Sequence, residues 1–203
     1  MQNAPKPGDV SLFRRIWKVA RWVLLVLVVL YVGAVVYSIP HVLEKRKTEE
    51  VVARIHAQKL IIENVNGEHL PPPPDPAQVD ATVEGIDANQ NGIRDDVEIA
   101  IFKKYPNFPL MRAAELQYAM ALQTELTQVF NAETWIAAIQ EKGRGFGCVF
   151  NVSNGDAGYP AKVTEVENLV RNTASRKEKH SELNKYRTSF KVLSGADCDV
   201  NSW

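Results

Sequence analysis

Between Arg21 and His41 the chain carries no charged side chain. The eighteen residues from Trp22 to Ile39, WVLLVLVVLYVGAVVYSI, are almost wholly apolar, and Ile16, Trp17, Val19 and Ala20 lengthen the run on its N-terminal side. In lipid, a helix of this length satisfies every backbone N–H and C=O within the segment, which outweighs the modest helix propensity of its valines. Residues 16–39 are therefore predicted to cross the bilayer as one helix. Trp17 and Trp22 suit one interface and Tyr37 the other.

The flanks predict the orientation. Arg14, Arg15, Lys18 and Arg21 crowd the N-terminal side, whereas Lys45, Arg46 and Lys47 are a smaller cluster mixed with Glu44, Glu49 and Glu50. The positive-inside rule then makes residues 1–15 a cytoplasmic tail and places the body outside the cytoplasm. In a Gram-negative cell that is the periplasmic face of the inner membrane. A cleavable signal peptide is the rival reading, since Val36 and Ser38 suit a cleavage site. The length of the apolar run and of the segment before it favours an uncleaved signal-anchor. Both readings export the body.

The formal net charge of zero hides an asymmetry. Residues 1–40 hold five basic groups and one acid, and the remainder holds nineteen basic and twenty-three acidic groups. A mildly acidic body lacks the cationic footprint that nucleic acid requires, so nucleic acid is not expected as a partner.

Pro40 is expected to end or kink the spanning helix. Residues 41–63 read as a polar helix with a weak apolar stripe (Val52, Ile55, Leu60, Ile62), so 40–70 is expected to be a helical stalk. Pro71, Pro72, Pro73, Pro74 and Pro76 mark a polyproline spacer over 71–76, about 19 Å long at ~3.1 Å per residue. Residues 77–203 then read as a mainly α domain. A helix is expected over 96–105, with Lys103 and Lys104 at its C-terminal end. A core helix is expected over 110–130, where Met111, Ala114, Tyr118, Ala121, Leu122, Leu126 and Val129 recur at helical spacing. A third, over 132–142, is capped by Asn131 and ended by Gly143, Gly145 and Gly147. The last runs over 161–193 as one helix or two, with Arg176–His180 as a solvated interruption.

Asp87-Ala88-Asn89-Gln90-Asn91-Gly92-Ile93-Arg94-Asp95-Asp96-Val97-Glu98 opens that domain. Oxygen-bearing side chains stand at positions 1, 3, 5, 9 and 12 and glycine at position 6. This spacing resembles the EF-hand calcium loop, and more closely the single-helix loops of dockerin-type bacterial calcium repeats. The resemblance covers these twelve residues and the helix after them. It implies Ca²⁺ as cofactor, bound by side-chain oxygens of Asp87, Asn89, Asn91 and Asp95, the carbonyl of Ile93 and both carboxylate oxygens of Glu98. An all-oxygen set suits calcium better than zinc or copper, and a bidentate glutamate disfavours magnesium. Position 8 departs from the pattern: Arg94 stands where an apolar residue usually pairs with a partner loop. No helix precedes the loop, and the chain holds no second copy. The resemblance therefore implies a solitary structural site rather than a paired sensor. Without an ion, Asp95 and Glu98 would still form a helix cap, and the Asn and Gly residues turns.

Cys148 and Cys198 are two buried thiols or one disulfide; export favours the disulfide, which would pin the C-terminal tail. His41, His56, His69 and His180 show no metal spacing, and His180 reads as a solvated surface residue. Asp197 and Asp199 read as a solvated tail. The glycines at 143–147 lack the preceding strand of a dinucleotide loop. No catalytic motif is present. The chain is thus expected to be a membrane-anchored, calcium-binding structural or interaction module, held in the lipid bilayer by residues 16–39, with a protein partner for its helical domain. The alternatives are a small accessory subunit of a membrane complex, or an enzyme whose site forms only in the fold.

Overall fold

The structure is a computed structural model that describes residues 7–200, with side chains from Phe13 onward. The predicted tail over 1–15 lies partly outside the described residues. The fold is mainly helical, and no strand occurs among the described residues. The chain divides into two compact units, residues 1–47 and 48–203.

Helix α1 (Pro7–Ala57) is one long helix with Pro40 inside it. Proline inside a helix removes one hydrogen bond and costs about 3 kcal/mol, yet here it does not end the helix. The apolar side chains from Phe13 to Leu43 are exposed. The helix is long and apolar enough to span a membrane.

The second unit is built on α5 (Pro109–Gln128). Every residue from Arg112 to Leu126 is buried, so this helix is enclosed all round. Around it pack α2 (Ile62–Asn66), α4 (Asp95–Lys104), α6 (Ala132–Val152), α7 (Tyr159–Val170) and α8 (Ala174–Glu182). A single-turn helix α3 (Pro76–Val79) is capped by Asp75, whose Oδ1 accepts the Ala77 N–H at 3.0 Å. Several polar residues of α5 find partners within the core, while Gln123 Oε1 accepts no hydrogen bond. Glu115 takes Lys104 Nζ at 3.0 Å and the Tyr105 hydroxyl at 2.6 Å. Glu125 takes Lys142 at 3.2 Å and Arg171 at 3.3 Å. Burial alone would raise the Glu125 carboxyl, but His180 and these two cations overcome it and hold it at about 2.

Several expectations are corrected. The stretch 40–70 is not a free stalk: Val51, Ile55, Leu60 and Val65 are buried within the second unit. Its weak apolar stripe is a core-facing stripe, and the compact unit begins at Thr48 rather than at 77. The proline run is accordingly no spacer between bodies. It joins two parts of one unit, with Pro71 buried.

The glycines do not end the third helix, which continues to Val152. Gly145 is buried against α5, where a Cβ would lie 2.9 Å from Tyr118 Cα and 3.2 Å from its N. Gly147 faces Asp197, whose Cγ would be 2.7 Å from an added Cβ. These glycines lower helix propensity but permit close approach, and packing wins. Gly143 has nothing within 4 Å. Opposite effects are therefore expected from one substitution. Gly143→Ala should stabilise by about 0.5–1 kcal/mol through helix propensity. Gly145→Ala should destabilise by about 1–3 kcal/mol, because the obstructing atoms are backbone. Urea denaturation of both variants checks this, and stabilisation by Gly145→Ala would rule out the close contact.

The C-terminal segment splits into α7, α8 and a 3₁₀ turn (Leu183–Tyr186). Arg176, read as solvated, is fully buried. His180 is half-buried, its Nδ1 3.4 Å from Glu125 Oε1 but without hydrogen-bond geometry. Cys148 and Cys198 form a disulfide. The tail it secures is not solvated: Asp199 accepts Arg144 Nη2 at 2.8 Å and the Leu60 N–H at 3.1 Å, and Gln117 Nε2 donates to the Asp197 carbonyl at 2.7 Å.

Candidate metal centre

The loop 87–98 is formed by its own short polar side chains. Asp87 accepts the Asn91 N–H on Oδ1 at 3.1 Å and the Gly92 N–H on Oδ2 at 2.8 Å. Asn89 and Asn91 each accept the N–H two residues on, at 3.3 and 2.8 Å. Asp95 Oδ1 accepts the Ala88 N–H at 3.0 Å, and the Asp95 N–H donates to the Ile86 carbonyl at 2.9 Å. Turns of this kind are what Asp and Asn side chains do next to backbone. Gln90 and Gly92 take positive φ, 58° and 85°. The glycine at position 6 is needed for its φ, and the Gln58 amide packs against it where a Cβ would stand.

These turns aim the loop at Glu98 in the first turn of α4. Glu98 is fully buried, and its two carboxylate oxygens are held by the side-chain amides of Asn91 (Oε1, 3.0 Å) and Asn89 (Oε2, 3.1 Å). No lysine, arginine or histidine pairs with it among the described residues. Burial pushes its carboxyl up to about 7. The two amides work against that, and the charges of Asp95 and Asp87 add to it. Burial likewise raises Asp87 against the N–H groups of Gly92, Asn91 and Gln90. Asp95 is raised by burial, against the Ala88 N–H and with the charges of Asp87 and Asp96. Three carboxyls strained upward together, with only neutral amides between them, are an arrangement that a cation would relieve.

The sequence-derived ligand residues thus divide. Asn89 and Asn91 bond the Glu98 carboxylate, whereas Asp87 accepts the N–H groups of Asn91 and Gly92 and Asp95 that of Ala88. Ile93 sends its side chain into the core. Among the described residues, no group of three or more His, Cys, Asp and Glu side chains is arranged to hold a metal ion. The donor set itself, neutral amides and carboxylates without nitrogen or sulfur ligands, fits a hard cation.

Sequence reasoning missed the residues that hold the loop from behind. Arg94 is fully buried. Its guanidinium donates to the carbonyls of Leu169 at 2.8 Å and Val170 at 3.0 Å, which end α7, to Asn172 Oδ1 at 3.2 Å and to Asp96. Arg176 donates from the other side to the same Asn172 oxygen at 2.6 Å, to Asp80, and to the carbonyls of Val79, Thr82 and Val83. The two arginines fasten the turn before the loop, and the loop itself, to the α7–α8 junction. The arginine at position 8, where an apolar residue is usual, was the one signal of this in the sequence. Comparison with protein-family models, with curated proteins and with solved structures finds no match.

Proposed function

We propose that this chain is a membrane-anchored, calcium-binding structural or interaction module whose helical unit faces out of the cytoplasm. The observation that carries the reading is Glu98: a fully buried carboxylate that accepts from Asn89 and Asn91, has no cationic partner among the described residues, and is raised further by the charges of Asp95 and Asp87. In this reading calcium takes oxygens from Asp87, Asn89, Asn91 and Asp95, the Ile93 carbonyl and both oxygens of Glu98, as in the single-helix EF-hand-type loops. The amide contacts to Glu98 give way to the ion. Two neutral asparagines keep affinity modest, about 10⁻⁴ to 10⁻³ M, which suits a compartment rich in calcium. The ion fixes the start of α4 and, through Arg94, the junction of α7 and α8. It is a clamp and not a switch, because Arg94 is committed to the α7 carbonyls and no second loop is present to pair with. The exposed apolar helix and the disulfide support membrane attachment and an oxidising compartment.

Calcium titration of the full chain in detergent tests this. At ten times Kd, binding to the folded state adds about 1.4 kcal/mol, or about 3–5 °C in Tm. Glu98→Gln should abolish the rise, and magnesium should give a smaller one. A wild-type Tm that ignores both calcium and chelator would remove the proposal.

A further inference from the structure

The compact second unit begins at Thr48, whose hydroxyl accepts the side-chain N–H of Asn131 at 2.8 Å. Asn131 caps α6, and Trp135 stands one turn further along. The chain therefore enters the unit beside the start of α6. At that same end Val129, Trp135, Ala138 and Leu183 form a small apolar cluster of their own, with Tyr186 packed against it. Leu183 and Tyr186 begin and end the 3₁₀ turn after α8. The Phe190 ring meets Trp135 edge-on, with centroids 5.9 Å apart.

From this turn a strap runs over the surface to Cys198. Every residue from Arg187 to Ala196 is exposed. The strap is nonetheless held in place. Gln140 Nε2 donates to the Lys191 carbonyl at 2.6 Å, Arg144 Nη2 donates to the Ala196 carbonyl at 3.1 Å, and the disulfide pins the far end. Between Leu183 and Ala196 stand Lys185, Arg187 and Lys191, and no acid. All three are exposed, and none forms an ion pair among the described residues; Lys185 lies over the Tyr186 ring at 5.0 Å. Cations elsewhere in the unit are placed differently: Lys104, Lys142, Arg144 and Arg171 each pair with a carboxylate. Outside the strap the unit carries more acids than bases, so the strap is a local reversal of charge. Its apolar side chains Phe190, Val192 and Leu193 are exposed with the cations.

Cations beside exposed aromatic and aliphatic side chains suit a bilayer surface. Headgroup phosphates pair with Lys and Arg, and aromatic rings sit between headgroups and hydrocarbon. The length of the tether selects the same partner. Ile39 closes the apolar run, and Thr48 follows it by about nine residues of α1, about 14 Å at helical rise. With Ile39 at the edge of the hydrocarbon, the headgroup layer takes up about 6 Å of this. The entry end of the unit then stands within about 8 Å of the headgroups, about one Debye length at physiological salt. An acidic protein segment would meet the same cations only by diffusion, whereas an anchored chain holds the bilayer at high effective concentration.

We propose that the strap docks on anionic lipid. Lys185 and Arg187 take headgroup phosphates, and Tyr186 and Phe190 enter the interface beside them. Lys191, further along α6 at Gln140, adds to the attraction. The inference deepens the reading given above and rests on its membrane anchor, not on calcium.

The test places a fluorophore on Ser189→Cys in the full chain, with the native disulfide intact, and reconstitutes it into nanodiscs that carry a headgroup-nitroxide lipid as quencher. The discs are phosphatidylcholine alone, or phosphatidylcholine with about a third phosphatidylglycerol. Quenching should be at least about twofold greater in the anionic discs and should fall at high salt. Lys185→Gln/Arg187→Gln should return it to the neutral-disc level without changing Tm. Lys103→Gln/Lys162→Gln, which removes the same charge at the end of α4 and the start of α7, should leave it unchanged. Equal quenching in the two discs, indifference to Lys185→Gln/Arg187→Gln, or an equal effect of the control pair each overturn the proposal. An unquenched strap that instead binds a glutamate decapeptide, with loss of binding in Lys185→Gln/Arg187→Gln, assigns the cations to an acidic protein segment and overturns it as well. Carbonate extraction of the same chain from vesicles reports the anchor separately. A chain that carbonate releases refutes the anchor and the strap contact together, and one that resists release with its label unquenched refutes the strap contact alone.

Discussion

Arg94→Ala should lower the unfolding free energy of the chain by about 3–5 kcal/mol, because it breaks a buried charged network from one side. The side chain is fully buried and serves two carbonyls at the end of α7, Asn172 and Asp96 at once. Removing it leaves the Leu169 and Val170 carbonyls without that donor, at about 1–3 kcal/mol for each buried group left unsatisfied. A cavity the size of the lost side chain adds to this. Arg94→Lys should fare little better, because one ammonium cannot reproduce a planar fork serving four acceptors. Asp96→Asn keeps the side chain's shape but removes the carboxylate from the buried guanidinium, and should cost about 1–3 kcal/mol, less than Arg94→Ala because the carbonyls and Asn172 remain as acceptors. Urea denaturation in detergent, followed by helix signal, measures all three. A loss under about 1 kcal/mol for Arg94→Ala would mean that the arginine is not what joins the loop to α7.

The second large effect is loss of the disulfide. Cys148 and Cys198 are 50 residues apart, and the loop-entropy model gives about 4 kcal/mol for closing a loop of that length. The closed segment contains α7 and α8, so the double variant Cys148→Ala/Cys198→Ala should expose the unfolded chain to a much larger ensemble. The tail contacts should go with it. The Asp199 N–H, held by Gln117 at 2.9 Å, and the Leu60 N–H, held by Asp199 at 3.1 Å, should lose hydrogen-exchange protection. If the double variant melts within about 1 kcal/mol of the parent, the tail is held by Asp199–Arg144 and Gln117 rather than by the bridge.

Much of the helical architecture was legible because it is local. The core helix over 110–130 was readable from apolar recurrence at helical spacing, and the structure has it as Pro109–Gln128. The helix after the calcium-type loop begins within one residue of its expected start. Errors arose where a local preference met a packing requirement. Gly143, Gly145 and Gly147 weaken a helix in isolation, yet the helix runs through them, Gly145 allowing close approach to α5 and Gly147 to Asp197. Pro40 and the run from Pro71 were read as punctuation, as their chemistry suggests, but α1 passes through the first and one compact unit encloses the second.

The site divides in the same way. The set Asp87, Asn89, Asn91, Asp95 and Glu98 could be listed from spacing, because short polar side chains organise the backbone within a few residues of themselves. Arg94, Arg176, Asn172 and Gln58 could not be listed, because their partners lie far along the chain: Arg94 reaches Val170, Arg176 reaches Val79, and Gln58 reaches Asn91. Within the charge run Arg176–His180, Lys177 and Glu178 are exposed as expected and Arg176 alone is buried, a difference that composition does not mark. What differs is whether distant carbonyls arrive to accept its protons.

The sequence by itself determined a chain that is mainly helical, with one apolar helix near its start and one loop of closely spaced oxygen-bearing side chains, since each of these follows from neighbours within a few turns. Only the tertiary structure decided that the supposed stalk belongs to the core, that position 8 of the loop is an anchor, and that Glu98 is buried with no cationic partner among the described residues. Those facts depend on desolvation and on hydrogen bonds across long stretches of chain, and such contacts have no signature in sequence order.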